Sequence, residues 1–286
     1  MNEASAAPWP VLSRADFHRI SQLAHERFGL DLPEGKEGLV VARLGKKIRQ
    51  GGFVSFSDYY HHVLADRTGG ALTELIDALT TNFTSFLREP AHFDYLRDAS
   101  TTEFRNVSPL RVWSAACSSG EEPYSIAMAL LEAAPGCNWA GNIQITASDI
   151  STRVLKHARE AIYPAEKFTG IPDSWRRTYL LKGIGARTGS FKLKPLVTGL
   201  VQFERLNLIE PFPSRRFHFI FCRNVMIYFS RETQQAIVSR FAACLESGGY
   251  LFVGHSESLN GIGHSLRYVQ PSVYRNPCES REKSVF

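Results

Sequence analysis

Residues 111–125 read Arg111-Val112-Trp113-Ser114-Ala115, then Ala116-Cys117-Ser118-Ser119-Gly120, then Glu121-Glu122-Pro123-Tyr124-Ser125. The first five form a short apolar strand and the middle five a loop of small residues. The last five open a helix that runs to Ala133. Strand, tight loop and helix in that order begin a βα unit, and the rhythm continues downstream. Ile143 to Ala147 reads as a strand and Ser151 to Ala161 as a helix. Val201 to Glu204 and His218 to Cys222 are further strands, Arg231 to Leu245 is a helix, and Tyr250 to Val253 a strand. Strands alternating with helices of this length predict a mostly parallel sheet covered on both faces.

Tyr179 to Lys182, Gly183-Ile184-Gly185 and Ser190 to Val197 interrupt that rhythm, and read as a small antiparallel excursion inserted into the α/β domain. Upstream the texture is purely helical. Ser13 to Phe28 carries Phe17, Ile20, Leu23 and Ala24 at helical spacing, with Ser13 as N-cap and Gly29 as terminator. Lys36 to Gln50, closed by Gly51-Gly52, Ser55 to Ala65 and Ala71 to Leu79 complete a four-helix unit. The ends, Met1 to Ala7 and Asn276 to Phe286, are expected to fray.

The bulk properties agree with a globular chain. It has 286 residues, 44% hydrophobic and 21% charged, enough for one large or two modest domains. No run approaches the ~18 apolar residues of a membrane-spanning helix, and Met1 to Pro10 lack the features of a secretory signal. A cytoplasmic protein without membrane insertion is expected. Five scattered cysteines include no CxxC pair, so free, mostly buried thiols and no metal are expected. A net charge of +5 and a pI near 9.0 point to acidic partners, nucleic acid or carboxylate-rich protein.

In open α/β sheets ligands bind beyond the carboxyl ends of the strands. The loop after the first strand is not GxGxxG, because only Gly120 is a glycine. Glu121 and Glu122 stand where a dinucleotide's pyrophosphate would sit. Acidic residues in a first turn favour the helix itself, and that structural role stands beside a functional one. Facing a ligand, the paired carboxylates would repel phosphate and attract ammonium or sulfonium. S-adenosylmethionine carries both cations and no phosphate, which separates it from NAD. Asp149 ends the second strand, where it can accept ribose hydroxyls or cap the helix from Ser151. One carboxylate has lone pairs for both.

Five segments, in order, resemble the CheR family of chemoreceptor methyltransferases. They are Thr80-Thr81-Asn82-Phe83-Thr84-Ser85-Phe86-Leu87-Arg88-Glu89, Val112 to Ser125, Ala147-Ser148-Asp149-Ile150, Phe221-Cys222-Arg223-Asn224-Val225-Met226-Ile227-Tyr228-Phe229, and Gly254-His255-Ser256-Glu257. The resemblance runs from about Ser13 to Tyr274. It implies a Rossmann-like, S-adenosylmethionine-dependent methyltransferase domain over residues 91–276, with an antiparallel β-subdomain near 176–200. A helical receptor-docking domain over 10–80 and a linker over 81–90 precede it. It also implies methylation of glutamate carboxylates in the cytoplasmic domain of chemoreceptors, by a monomer, with S-adenosylhomocysteine as product.

Asn82, Thr84 and Arg88 look like the linker residues that reach the cofactor. Glu122 resembles the carboxylate holding its amino group, and Asp149 the ribose ligand. Asn207-Leu208 look like the adenine contacts, and Arg223-Asn224 lie beside the methionyl end. Arg88 and Tyr228 are placed by the resemblance at the reacting carboxylate. Arg43, Lys46, Lys47 and Arg49 make a basic surface on the second helix, complementary to a Glu-rich receptor helix. A glutamate is ionised at neutral pH, so attack on a sulfonium methyl needs alignment and exclusion of water rather than a general base.

The rival of the same fold is a nucleic-acid methyltransferase, but no proline precedes Cys222 and no aromatic, basic single-strand platform is present. Nucleic acid is therefore not expected as a partner. Glu121 and Glu122 disfavour an NAD-linked oxidoreductase, and the presence of every expected site residue disfavours a non-catalytic adaptor. Gly254-His255-Ser256-Glu257-Ser258 lacks the last glycine of a hydrolase elbow and reads as a strand-to-loop turn.

Overall fold

The computed structural model describes residues 10–80, 83–212 and 214–278. They fall into two compact units, one within Met1–Asn82 together with Tyr228–Ser230, the other within Phe83–Ile227 and Arg231–Phe286.

The first unit contains α1 (Arg14–Phe28), α2 (Glu37–Gln50), α3 (Phe56–Ala65) and α4 (Gly70–Leu79). Local chemistry sets their ends. Ser13 Oγ accepts the Asp16 N–H at 3.0 Å, and Gly29, at φ 71°, closes α1 in the left-handed region. Ser55 caps α3 in the same way, through the Asp58 N–H. The buried faces present Phe17, Ile20 and Leu23 from α1, Val40, Leu44 and Ile48 from α2, and Leu75, Ile76 and Leu79 from α4. Tyr228–Ser230 joins this unit through backbone contacts. The Asp31 N–H donates to the Tyr228 carbonyl at 2.7 Å, and Leu30 bridges Phe229.

The second unit begins with α5 (Ala91–Thr102), then β1 (Leu110–Ser114), α6 (Glu121–Ala133), β2 (Ile143–Asp149), α7 (Thr152–Glu160), β3 (Ile162–Pro164) and α8 (Asp173–Tyr179). It continues with β4 (Leu180–Lys182), β5 (Ser190–Leu193), α9 (Pro195–Thr198), β6 (Val201–Arg205), β7 (Phe217–Cys222), α10 (Arg231–Cys244), β8 (Leu245–Val253), β9 (Arg267–Gln270) and β10 (Val273–Arg275). Seven strands form one sheet in the order β6-β2-β1-β7-β8-β10-β9. The first five are mutually parallel, whereas β10 runs antiparallel to β8 and to β9. Every residue of β7 is buried, as a central parallel strand covered on both faces requires. The parallel α/β sheet is as expected; its antiparallel edge is additional.

The excursion forms a separate three-stranded antiparallel sheet, β3-β5-β4. It differs from the expected two-stranded form at both ends. Ile162–Pro164 supplies a third strand too short to show a period. Residues 195–197, expected as strand, turn helical because Pro195 cannot donate to a ladder and suits the first helical position. Among the described residues no helix is long and apolar enough to cross a membrane. Cys117, Cys222 and Cys244 are buried, Cys137 is half-buried and Cys278 exposed, all as free thiols.

Candidate functional site

The carboxyl ends of the parallel strands converge on the loop between β1 and α6. The Ala115 N–H donates to the Phe221 carbonyl at 2.7 Å and the Cys117 N–H to the Ser148 carbonyl at 2.9 Å. The Trp113 indole N–H donates to Ser148 Oγ at 2.9 Å, so β1, β2 and β7 are tied where the loop leaves the sheet. Gly120 sits at φ 98°. A Cβ there would lie 2.8 Å from both Ala158 Cβ and Tyr163 Oη. Only glycine allows the loop this close to α7. Tyr163 Oη secures it by donating to the Ser119 carbonyl at 2.6 Å.

Asp149, the last residue of β2, accepts the Ser118 N–H at 2.9 Å and the Ser151 N–H at 3.0 Å. The cap of α7 is Ser151, not Asp149. Asp149 thus holds the small-residue loop with one oxygen and the turn into α7 with the other. The Leu206 N–H donates to the Asp149 carbonyl at 3.1 Å, which brings Asn207 and Leu208, both buried, off the end of β6 beside it. Asn207 Oδ1 accepts the Ile209 N–H at 3.3 Å.

The two carboxylates that open α6 separate in role. Glu121 is 1% exposed and turned inward; Ser119 Oγ donates to it at 2.6 Å and Lys167 Nζ at 3.0 Å. It takes the structural role. Glu122 accepts Ser114 Oγ at 2.7 Å and the Arg223 guanidinium at 3.1 Å. Arg223, just past β7, is buried; it also donates to Glu89 Oε2 at 2.9 and 3.3 Å and to the Arg88 carbonyl. Two carboxylates share one guanidinium, leaving one net negative charge among groups largely removed from water. Burial raises the pKa of Glu122 above the ordinary carboxylate value, with Arg223 and Ser114 only partly opposing it. For Glu89 burial acts the same way, but Arg223 and the His255 N–H outweigh it and the pKa is lowered. A small cation docked at Glu122 would complete the charge balance. The donor set therefore fits the ammonium end of S-adenosylmethionine.

Arg88 lies between two residues in the left-handed region, Leu87 at φ 51° and Glu89 at φ 58°. That costly backbone directs the Arg88 carbonyl and the Glu89 carboxylate together onto Arg223. The half-buried Arg88 guanidinium donates to the Phe83 carbonyl at 3.1 Å. Thr84 is half-buried, and its carbonyl accepts Lys167 Nζ at 2.9 Å. Asn82 lies outside the described residues. Asn224, at φ 58°, follows Arg223 on the same turn, and Tyr228 belongs to the helical unit. On α2, Arg43 donates to the Thr80 carbonyl at 3.0 Å and Lys47 pairs with Glu74 at 2.5 Å, whereas Lys46 and Arg49 are exposed.

Sequence patterns alone give no role to Glu89, Lys167 or Ser114. Only Glu89 carries a signal, as an acidic residue adjoining Arg88. Glu89, His92 and His255 each place a potential metal-ligand atom within 4.8 Å of the others. His92 is fully buried, and burial lowers its pKa to about 4, so it is neutral. The Arg223 guanidinium on the same Glu89 oxygen opposes a divalent ion there.

The model described as the CheR methyltransferase SAM-binding domain matches residues 82–274, and that of the CheR methyltransferase all-alpha domain matches 15–80. The chain belongs to the CheR methyltransferase family. Among relatives of this CheR chain, chemotaxis protein methyltransferase 2 of Pseudomonas aeruginosa is 39% identical, over 92% of this chain and 93% of that one. The chemotaxis protein methyltransferase of Escherichia coli is 40% identical over 92% and 91%, and that of Borreliella burgdorferi 37% over 92% and 95%. Membership makes this CheR protein an S-adenosylmethionine-dependent methyltransferase of chemotaxis.

Proposed function

We propose that this enzyme methylates glutamate side chains in the cytoplasmic domain of chemoreceptors, leaving glutamate methyl esters. The observation that carries the reading is the Glu89–Arg223–Glu122 arrangement, one negative charge in excess, beside the loop that Asp149 holds. Glu122 takes the ammonium group of the donor and Asp149 its ribose. Asn207 and Leu208 lie against the adenine, and Arg223 and Asn224 flank the methionyl end. Thr84 and Arg88, from the linker of residues 81–90, are further donor-site residues, with Asn82 assigned by the family motif alone.

Bound there, S-adenosylmethionine supplies an electrophilic methyl group. The residues of the chain orient and dehydrate the acceptor. Arg88 offers a forked donor to a carboxylate, and Tyr228 a hydroxyl or an aromatic face. Neither has to remove a proton, because the acceptor is already an anion at neutral pH. The basic residues of α2 belong to the docking surface of a helical domain over residues 10–80. The methyltransferase domain is 91–276.

The test is radiolabelled methyl transfer to receptor-bearing membranes, followed by alkaline treatment. Label released as volatile methanol is the expected result, since only an ester hydrolyses so readily. Alkali-stable label, or label entering RNA, would defeat the reading.

A further inference from the structure

Glu257 stands in the turn after β8 and is not among the residues assigned to donor or acceptor. Its side chain is nonetheless buried and fully engaged. Oε1 accepts the N–H groups of Met226 at 2.8 Å and Ile227 at 3.3 Å. Oε2 accepts those of Asn224 at 2.7 Å and Gly254 at 2.6 Å. Four backbone donors converge on one carboxylate, three of them from the turn that carries Arg223 and Asn224. The approach is tight: a Cβ on Gly254 would lie 2.4 Å from Asn224 Nδ2 and 2.8 Å from Glu257 Oε2.

Asn224 takes the left-handed region there, at φ 58°, a conformation that asparagine tolerates better than most residues, so the turn is held by its amide partners rather than by a regular element. Only the ionised carboxylate suits four donors, because a proton on either oxygen would face an N–H. Burial pushes the Glu257 pKa up while the four N–H groups pull it back, and the net direction is up.

We infer that Glu257 is a positioning residue for methyl transfer: by gathering the amides of Asn224, Met226, Ile227 and Gly254 it sets the turn from which Arg223 reaches Glu122 and Glu89. The inference rests on the proposed donor site at Glu122 and Asp149. Glu257 acts through Arg223, so its contribution depends on Arg223 being present. Glutamine at 257 keeps the shape but turns an NH2 group toward two backbone donors. Aspartate keeps the charge with a shorter reach.

The test is a double-mutant cycle in the full-length enzyme, read as S-adenosylhomocysteine affinity by calorimetry, with melting temperature followed alongside. Glu257→Gln is expected to weaken binding about tenfold, the scale of losing a hydrogen bond to a charged group. Glu257→Asp should recover part of that loss. On an Arg223→Ala background the same Glu257→Gln change should add less than about twofold. Full additivity on that background would overturn the inference, as would unchanged affinity with a lowered melting temperature. Where Glu257→Gln does not fold, Glu257→Asp carries the cycle, with a smaller step judged by the same comparison. A wild-type protein that bound no S-adenosylhomocysteine would overturn the site reading and this inference together.

Discussion

Replacing Glu122 by glutamine isolates the electrostatic part of donor recognition. The side chain is 12% exposed and sits between Ser114 Oγ and Arg223. The amide keeps one acceptor oxygen, so Ser114 retains a partner. Arg223 retains Glu89 and the Arg88 carbonyl. Removing one partner of a buried ion pair costs about 3–5 kcal/mol when the other charge is stranded. Here Glu89 still compensates, and a neutral amide escapes the burial penalty that raises the carboxylate's pKa, so little net change in stability is expected. Binding should suffer more. The cluster falls from one net negative charge to neutral, and the ammonium loses a charge-assisted hydrogen bond worth about 1.5–3 kcal/mol. That range corresponds to about 10- to 150-fold in dissociation constant. The assay is calorimetric titration with S-adenosylhomocysteine and, in parallel, methylthioadenosine, which lacks the amino-acid end. Only the first should weaken. Equal weakening of both, or an S-adenosylhomocysteine affinity within twofold of wild type, would refute the assignment of Glu122.

Asp149→Asn should give the complementary pattern, weakening S-adenosylhomocysteine and methylthioadenosine alike by about 1–2 kcal/mol, because both carry the ribose; a loss confined to S-adenosylhomocysteine would count against the ribose role. Gly120→Ala combines a left-handed alanine with contacts of 2.8 Å to Ala158 and Tyr163, so a loss of at least about 2 kcal/mol, or about 4–8 °C in melting temperature, should appear in thermal scans. Acidification should separate binding from folding at Glu122. A raised pKa means the folded protein takes up this proton more readily than the unfolded chain, so ionised Glu122 costs stability at neutral pH, and acid returns it. As the pH falls toward the raised pKa of Glu122, S-adenosylhomocysteine affinity should fall without a matching contribution of Glu122 to unfolding, and Glu122→Gln should flatten the binding profile. Glu89, whose pKa is lowered, contributes stability that is lost only at lower pH. On α2, charge reversal at the exposed Lys46 and Arg49 should slow receptor methylation and leave donor affinity unchanged.

Where local chemistry dictates an element, the sequence announces it. Ser13 and Gly29 bound α1 to within a residue, and the small-residue loop ahead of Glu121 marks the β1 to α6 turn. The elements that escape are those whose cause is tertiary. Helix α5 buries His92, Phe93, Leu96 and Ala99 yet ends in Ser-Thr-Thr, residues of weak helix propensity. The antiparallel strands β9 and β10 and the subdomain strand β3 span only three or four residues, too few for a period of two to declare itself. Glu257 escapes for another reason. Its segment nearly matches a hydrolase elbow, and the missing glycine leaves only a turn. It is a turn, but one whose carboxylate reaches back across the sheet to the end of β7, and no spacing in the chain reveals a side chain recruited by backbone amides some 30 residues away.

The same limit reshapes the argument from charge. A pair of adjacent acids at a helix start suggests a pocket that repels phosphate and welcomes a cation. In the folded protein neither acid stands alone: Lys167 neutralises Glu121 and Arg223 bridges Glu122. Two acids matched by two cations would hold no preference. The preference survives because of Glu89, brought to the same guanidinium by a strained turn at Leu87 and Glu89. Arg223 is thereby shared, and the excess negative charge belongs to the cluster rather than to either carboxylate. An arginine among two acids also sets an upper bound on attraction. It keeps Glu122 from gripping an ammonium as tightly as a bare buried carboxylate would, and it spares the protein the cost of leaving two such charges unpaired when no ligand is bound.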